Sequence, residues 1–285
     1  MWIVRMDAFF KSLYNIMYSM KNRFWLVVVA LCCLAPLAAQ QRDSRTRVYL
    51  PPTRIVWQQE ADLISGVEQL LKPGNGQSDL TNLSMCKIQS REGRRPALLL
   101  DFGKELQGGL QLVTGMPASH NPVAVRIRFG ESVSEAMCEI DGENGATNDH
   151  AMRDFVVRLP WLGVQEVGNS GFRFVRIDLL EDSVELHLKE VRAISTFRDI
   201  PYRGSFRCND ERLNRIWQTG AYTVHLNMQE YLWDGIKRDR LVWMGDMHPE
   251  VMAINTVFGY NEVVPKSLDL MRETTPLPLW MGGIS

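Results

Sequence analysis

The sequence predicts a β-sandwich followed by a shorter helical region. Residues 48–196 contain strand-length apolar segments, several of which alternate apolar with polar residues, and glycine-rich turns such as Gly108-Gly109 and Gly168–Gly171 separate them. From about residue 197, apolar residues recur at helical spacing instead. Many short strands with turns between them are typical of a sandwich. We therefore predict a β-sandwich accessory domain over residues 40–196 and a helical domain over residues 197–285.

Residues 1–39 are typical of a secretory signal peptide. The apolar run Phe24–Ala35 is too short to span a bilayer comfortably, and small residues follow it before Gln40. A short basic flank directly after Met20 makes that residue a candidate start of translation. The alternative is an uncleaved N-terminal anchor. We predict a secreted or periplasmic protein that begins near Gln40 and has no stable membrane anchor after cleavage.

Composition excludes several classes of function. The formal net charge of -1 leaves no basic excess, so nucleic acid is not an expected partner. Beyond the leader there are three cysteines, Cys86, Cys138 and Cys208, without Cys-x-x-Cys spacing, and no two histidines lie four residues apart. The sequence therefore predicts no metal site and no cofactor.

The predicted sandwich rests on five strand-length segments. They are Pro96–Phe102, Val123–Phe129, Phe155–Leu159, Phe172–Leu179 and Val184–Val191. Residues 57–71 are ambiguous, because their apolar residues fit either a helix or an extended segment at 67–71. The polar stretch Glu139–Asp154, which carries His150 and Arg153, could hold a cation through Asp141, Glu143 and Asp149. It lacks the spacing of a calcium loop, which favours a plain surface loop.

Three helices are predicted after residue 197. The first is capped by Asn209, has acidic residues in its first turn and runs to about Gln229, with an apolar stripe that we assign to the core. That stripe comprises Leu213, Ile216, Trp217, Ala221, Val224 and Met228. The second pattern carries Val251, Ile254 and Phe258. The third begins near Pro265 and carries Val264, Leu268 and Met271.

A charged segment, Trp233–Asp246, lies between the first two helices. It holds three carboxylates, three cations and two tryptophans. Carboxylates accept hydrogen bonds from hydroxyls, arginine binds oxygen in a fork, tryptophan packs on the C–H face of a sugar, and a carboxylic acid can protonate a glycosidic oxygen. The alternative is a solvated loop of weak ion pairs, which composition alone favours.

The run Asp234–Asp246 resembles a motif of bacterial α-L-rhamnosidases. Gly204–Trp217 resembles the segment with which that family enters its catalytic barrel, and Leu100–Gly109 and Arg128–Ala136 resemble strands of the preceding sandwich. The resemblance covers most of the chain after residue 47. It implies that residues 197–285 are the first helices of an (α/α)6 six-hairpin toroid. Because the family's barrel needs several hundred further residues, we expect the toroid to be incomplete.

The resemblance also implies a role for five residues of the motif. Asp234 and Asp246 match acids that bind sugar hydroxyls, Arg238 matches the basic residue that holds the sugar, and Trp243 matches an aromatic wall. Asp239 stands where the family usually has the glutamate that acts as general acid.

Asp239 is one methylene shorter than that glutamate. A misplacement on this scale can cost ~10²-fold in rate. Glu250 is a second candidate, although its position after Pro249 favours charge compensation in the first turn of a helix. The family's general base is a glutamate further along the barrel, which we expect this sequence not to contain.

The resemblance implies an inverting hydrolase that removes terminal α-L-rhamnose from a rhamnose-containing oligosaccharide or glycoside. In such enzymes one acid protonates the leaving oxygen and a base ~6.5–9.5 Å away activates water. Two alternatives stay open at this point. One is a non-catalytic carbohydrate-binding protein, and the other is a six-hairpin glycosidase or lyase that acts on a different sugar.

Overall fold

A computed structural model of the chain describes residues 43–80, 84–140, 147–149 and 151–275. The predicted signal peptide lies outside these residues, as do Asp141, Glu143 and His150 of the polar stretch. The described residues from Ser44 to residue 275 belong to one compact unit. No helix within the described ranges is long and apolar enough to cross a membrane.

The N-terminal part of the described chain is an antiparallel β structure, which confirms the prediction of a β-rich region. Its strands are β1 Arg45–Leu50, β2 Arg54–Gln59, β3 Ile64–Ser65, β4 Cys86–Gln89, β5 Ala97–Gly115, β6 Val123–Gly130, β7 Asp154–Leu159, β8 Gly163–Leu179 and β9 Glu185–Arg198. Hydrogen bonds join them in the order β3-β4-β9-β5-β8-β6-β7, with β1 on β9 and β2 on β5. All nine strands described are linked in this one network.

Strands β5 and β8 are longer than predicted, because glycines that the sequence suggested as turns lie inside them. The pairing of β5 with β8 shifts between Asp101 and Leu106 and again between Gly108 and Leu110. Gly108 has a φ of 144°, and a Cβ there would lie 2.0 Å from the Ile194 carbonyl oxygen. Glycine is thus required here by the close approach of β9, and the strand continues through it.

The apolar core of the sheet region is closed. Its members come from nearly every strand and include Leu98, Leu100, Leu110, Leu112, Val125, Ile127, Phe129, Phe172, Val175, Leu188 and Val191, which are almost entirely inaccessible to solvent. Phe129 and Phe172 have ring centroids 4.6 Å apart, within the range of favourable aromatic pairs.

Two local features differ from expectation. Residues 57–71 form neither a helix nor a continuous strand, because β2 is followed by two 3₁₀ turns, Ala61–Leu63 and Val67–Leu71. A short helix, α1 Val133–Met137, was not predicted. Its capping is recognisable in the sequence: Ser132 accepts from the Glu135 amide at 3.1 Å, and Glu135 accepts from the Glu131 amide at 2.9 Å.

Three further helices confirm the predicted helical region. They are α2 Glu211–Asn227, α3 Met244–Val257 and α4 Val263–Thr274. The N-cap of α2 is Asp210, whose side chain accepts from the Arg212 amide at 2.8 Å, so the assignment of Asn209 was wrong by one residue. The stripe of α2 is also only partly core, since Leu213 and Ile216 are 47% and 57% exposed.

A second core lies among these helices and the segment between α2 and α3. It contains Ala221, Met228, Leu232, Val242, Met247, Ile254, Val257, Phe258 and Val263. Arg198, at the end of β9, joins the two regions by donating to the Gln229 carbonyl at 2.8 and 3.0 Å.

Candidate active site

The segment between α2 and α3 forms a closed loop, residues 234–241, which we call the motif loop. The Asp234 amide donates to the Leu241 carbonyl at 2.9 Å, and the Leu241 amide donates to Asp234 Oδ1 at the same distance. Asp234 therefore fixes the base of the loop through both its backbone and its side chain. Among the described residues, the second carboxylate oxygen of Asp234 is left for other partners.

The tip of the motif loop has an unusual backbone. Asp239 and Arg240 have φ values of 59° and 54°, so two successive non-glycine residues are left-handed. This conformation costs roughly 1–2 kcal/mol for each residue and persists only where the surroundings impose it. Such strain concentrates at functional sites.

The motif loop is anchored to the sheet by an apolar contact and by ion pairs. Ile236 is buried against Gly171 of β8, where an added Cβ would lie 2.6 Å from the Ile236 side chain. The Lys237 ammonium lies 2.6 Å from Glu135 and 3.2 Å from Glu131. Although burial lowers the pKa of Lys237, these two carboxylates outweigh that effect and raise it.

Arg240 adds a further contact with β8. It donates to the Asn169 carbonyl at 2.8 Å, and its guanidinium lies 5.6 Å from the centre of the Trp233 ring. Burial lowers the pKa of Arg240. The position of the motif loop is therefore set from the sheet side as well as from the helices.

On the helical side, both ends of the loop are held by buried groups. Leu232 and Val242 belong to the helical core. The Leu232 amide donates to the buried hydroxyl of Ser267 on α4 at 2.8 Å, and the Trp233 amide donates to the Asn227 carbonyl at 3.0 Å.

The five residues singled out by the sequence lie on this loop and at the start of α3. Asp234 is half-buried at the loop base, whereas Arg238 has 64% of its side chain exposed and donates to the neighbouring Asp239 at 3.3 Å. Trp243 is the N-cap residue of α3 and is 58% exposed, and Asp246 is exposed in the first turn.

The position of Glu250 in its helix was predicted wrongly from the sequence. Helix α3 begins at Met244, so Glu250 lies in its middle and does not compensate the first turn. It is half-buried and accepts from Asn227 Nδ2 at 3.2 Å. Burial raises its pKa to about 7, and the charges of Asp246 and Asp234 act in the same direction against the Asn227 hydrogen bond. Glu250 thus forms an acidic cluster with two of the residues in the motif.

A cleft of about 590 Å³ extends from the motif loop between α2 and the sheet. One wall is formed by the β5 segment 103–105, Glu131 and Arg173, the other by residues 218–227 of α2, and residues 234–236 close one end. This cleft could not be predicted from the sequence, because its walls come from segments that lie far apart along the chain, such as those of Glu105, Arg173 and Thr219.

The polar stretch before β7 contributes one structural residue, Arg153, to the described part of the chain. Arg153 is almost fully buried, donates to the Phe129 carbonyl at 3.3 Å and lies 3.4 Å from Glu135. Within the described part of the chain, no group of three or more His, Cys, Asp or Glu side chains could hold a metal ion.

Residues 201–281 match the family model described as the bacterial alpha-L-rhamnosidase 6 hairpin glycosidase domain. The chain is rhamnosidase-like. The matched segment contains α2, the motif loop, α3 and α4, and with them all five predicted site residues.

Solved rhamnosidases share the fold. A GH78 family rhamnosidase of Bacillus sp. GL1 is 22% identical with a TM-score of 0.56, covering 74% of this chain and 21% of that protein. A rhamnosidase from Klebsiella oxytoca, solved with rhamnose bound, is 18% identical with a TM-score of 0.61, covering 81% of this chain and 44% of that protein. The rhamnosidase-like chain thus spans less than half the length of either one. No curated protein matches it.

Proposed function

We propose that this protein is a glycoside hydrolase that removes terminal α-L-rhamnose from a glycoside or oligosaccharide with inversion at the anomeric carbon. One observation carries the proposal: the five residues implied by the resemblance lie together in the matched segment, on one anchored loop and the helix start beside it. These residues are Asp234, Arg238, Asp239, Trp243 and Asp246.

Their surroundings suit the binding of a sugar. Asp234 and Asp246 accept hydrogen bonds from sugar hydroxyls, and the exposed guanidinium of Arg238 donates to ring or hydroxyl oxygens. The exposed face of Trp243 packs against the C–H groups of a pyranose. Because the backbone of the motif loop is fixed from both sides, these groups are pre-organised, which lowers the entropic cost of binding.

In the proposed reaction, a carboxylic acid donates its proton to the glycosidic oxygen while the bond between that oxygen and the anomeric carbon breaks. A carboxylate base takes a proton from the attacking water, whose oxygen bonds to the opposite face of the anomeric carbon. The products are rhamnose of inverted configuration and the free alcohol of the aglycone. The chain spans less than half of the compared rhamnosidases, and we assign no residue as the base.

Two carboxyls compete for the role of acid. Asp239 takes the role by its place in the motif, and we propose it as the general acid. Glu250 is the alternative, because burial and two neighbouring carboxylates let it hold a proton up to about pH 7. The two assignments predict different mutant kinetics.

The test is rhamnose release from 4-nitrophenyl α-L-rhamnoside, with the anomer of the first product followed by proton NMR. Asp239→Asn is expected to lower kcat by ~10²-fold or more, whereas Glu250→Gln retains most activity and Glu92→Gln, an exposed carboxyl in a turn, changes nothing. A large loss in Glu250→Gln with an active Asp239→Asn transfers the acid role to Glu250.

The same experiment separates catalysis from binding. Rhamnose bound without any release by the folded protein, tested also in a form extended to a complete barrel, favours the non-catalytic carbohydrate-binding alternative. A folded protein that neither binds nor releases rhamnose contradicts the proposal.

We also propose that the protein is secreted or periplasmic, on the basis of the signal-peptide pattern of residues 1–39. N-terminal sequencing of the protein from the extracytoplasmic fraction is expected to begin at Gln40. A protein found only in the cytoplasmic fraction with an intact leader contradicts this.

A further inference from the structure

The cleft beside the motif loop contains a carboxyl group that the proposed reaction does not use. Glu105 lies in the β5 bulge that forms one cleft wall. Its Oε1 atom is buried and has no hydrogen-bond partner among the described residues. A buried polar atom without a partner is costly, and a ligand that enters the cleft can supply the missing hydrogen bond.

The bulge that presents Glu105 is rigidly held. Asp101 accepts from the Gly103 amide at 2.7 Å, from Arg173 at 2.8 and 3.0 Å and from Arg54 at 2.8 Å. On the other side, the Tyr222 hydroxyl of α2 donates to the Glu105 carbonyl at 2.5 Å. The backbone of Glu105 is therefore fixed between the sheet and α2 before any ligand binds.

Charged groups surround Glu105 from every neighbouring element. Glu131 follows β6, Glu135 is on α1, Lys237 is in the motif loop, Arg173 is on β8, and Lys104 is the preceding residue. Burial raises the pKa of Glu105 to about 8, the charges of Glu131 and Glu135 and a hydrogen bond with Glu131 raise it further, and the charge of Lys237 opposes them. At neutral pH the side chain is thus a neutral acid, whose proton can be donated to Glu131 or to a ligand and whose buried Oε1 atom can accept a hydrogen bond.

The lining of the cleft selects for a neutral ligand. Lys104 and Arg173 balance Glu131 and Asp234, so the walls carry no net charge once Glu105 holds its proton. The walls contain both donors and acceptors, as recognition of sugar hydroxyls requires. Asp234 lines the cleft and also belongs to the motif, which connects this space to the proposed rhamnose position.

We propose that the cleft between α2 and the β5 bulge is a second saccharide subsite, which holds the neutral sugar next to the rhamnose, and that Glu105 hydrogen-bonds to a hydroxyl of that sugar. This inference rests on the proposed function, since the motif must hold rhamnose for the neighbouring sugar to reach the cleft.

The test compares the binding of methyl α-L-rhamnoside with that of rutinose, in which rhamnose is joined to a neutral glucose, by titration calorimetry on the whole chain carrying Asp239→Asn, so that cleavage of either sugar does not disturb the titration. Rutinose is expected to bind about tenfold more tightly than the monosaccharide, a preference worth about 1.4 kcal/mol. Thr219→Trp fills the cleft and is expected to abolish the preference while leaving monosaccharide binding intact. Leu213→Trp, on the same helix but outside the cleft lining, is the matched control and should keep it.

The role of Glu105 is tested by the pH dependence of rutinose binding. The neutral acid is present below pH 8 and is lost as the pH rises through 8, so rutinose binding is expected to weaken by about threefold to tenfold between pH 7 and pH 9. Glu105→Gln keeps a donor at every pH and is expected to remove that dependence. Glu92→Gln should retain it.

The outcomes separate this inference from the proposed function. If both sugars bind equally and Thr219→Trp has no effect, the subsite is refuted while the rhamnose site stands. If Glu105→Gln leaves the pH dependence unchanged, the role of Glu105 is refuted. If neither sugar binds the folded chain, the proposed function fails and the subsite fails with it.

Discussion

The sheet region and the helical region bury their apolar residues to very different degrees. Side chains such as Leu98 and Leu110 in the sheet region are completely inaccessible, whereas Ile216 and Tyr260 in the helical region are 57% and 82% exposed. The sheet region closes its core with its own strands. The helices bury one face each, and in the described residues their stability depends more on the anchored motif loop and on contacts with the sheet.

The largest expected effect of a substitution is therefore in the sheet core. Leu110→Ala leaves a cavity in a closed core and is expected to lower the free energy of unfolding by about 2–5 kcal/mol. Ile216→Ala, on the exposed face of α2, is expected to change it by less than about 0.5 kcal/mol. Urea denaturation of both variants measures the difference. Equal losses would show that the outer face of α2 is buried in solution.

The next prediction concerns the contact between the two regions. Gly171→Ala places a Cβ 2.6 Å from the Ile236 side chain and is expected to cost about 1–3 kcal/mol by overpacking. It should also speed hydrogen exchange of the Leu241 amide, which closes the motif loop. Gly220→Ala is the matched control, since nothing lies within 4 Å and alanine favours a helix, so a gain of about 0.5–1 kcal/mol is expected. Unchanged Leu241 exchange in Gly171→Ala would show that the sheet does not hold the loop.

The smallest effect is expected within the helical region, at Glu250. Because its pKa in the folded protein is raised to about 7 from 4.5, the folded state binds more protons than the unfolded state between these values. The contribution of Glu250 to the free energy of unfolding is thus fully present below about pH 4.5 and is lost as the pH rises to about 7. Glu250→Gln is expected to stabilise the protein on the order of 1 kcal/mol at pH 8 and to have little effect at pH 4. Thermal unfolding at both pH values tests this, and a loss of stability at pH 8 contradicts it.

Local pattern predicted the class of both regions, because alternation and helical spacing are short-range signals. Prediction from local pattern failed where tertiary contacts determine the structure. Gly108 looked like a turn residue, yet it is the site where β9 approaches β5, and Asn209 looked like a cap although Asp210 makes the hydrogen bond. Leu213 fits the apolar stripe of α2 but remains exposed, since periodicity indicates a face without showing what covers it.

The candidate site was predicted to a similar extent. The motif identified a coherent loop and helix start, and their match to the rhamnosidase domain supports it. The surroundings of Glu250 were missed because the start of α3 was misplaced by several residues. No sequence pattern indicated the environment of Glu105, because that environment is assembled from α1, α2, the residue after β6 and the motif loop.

The anchoring of the motif loop separates the residues that shape it from those that face outward. Its backbone is held by the hydrogen bonds of Asp234, by the packing of Ile236 against the sheet and by the ion pairs of Lys237 with two carboxylates. Arg238 and Trp243 contribute exposed side chains instead. Substitutions at these two positions thus need not disturb the fold. Under the proposed glycosidase function, the substrate range can diverge through such changes at little cost in stability, which makes positions 238 and 243 the natural starting points for directed evolution towards other sugars.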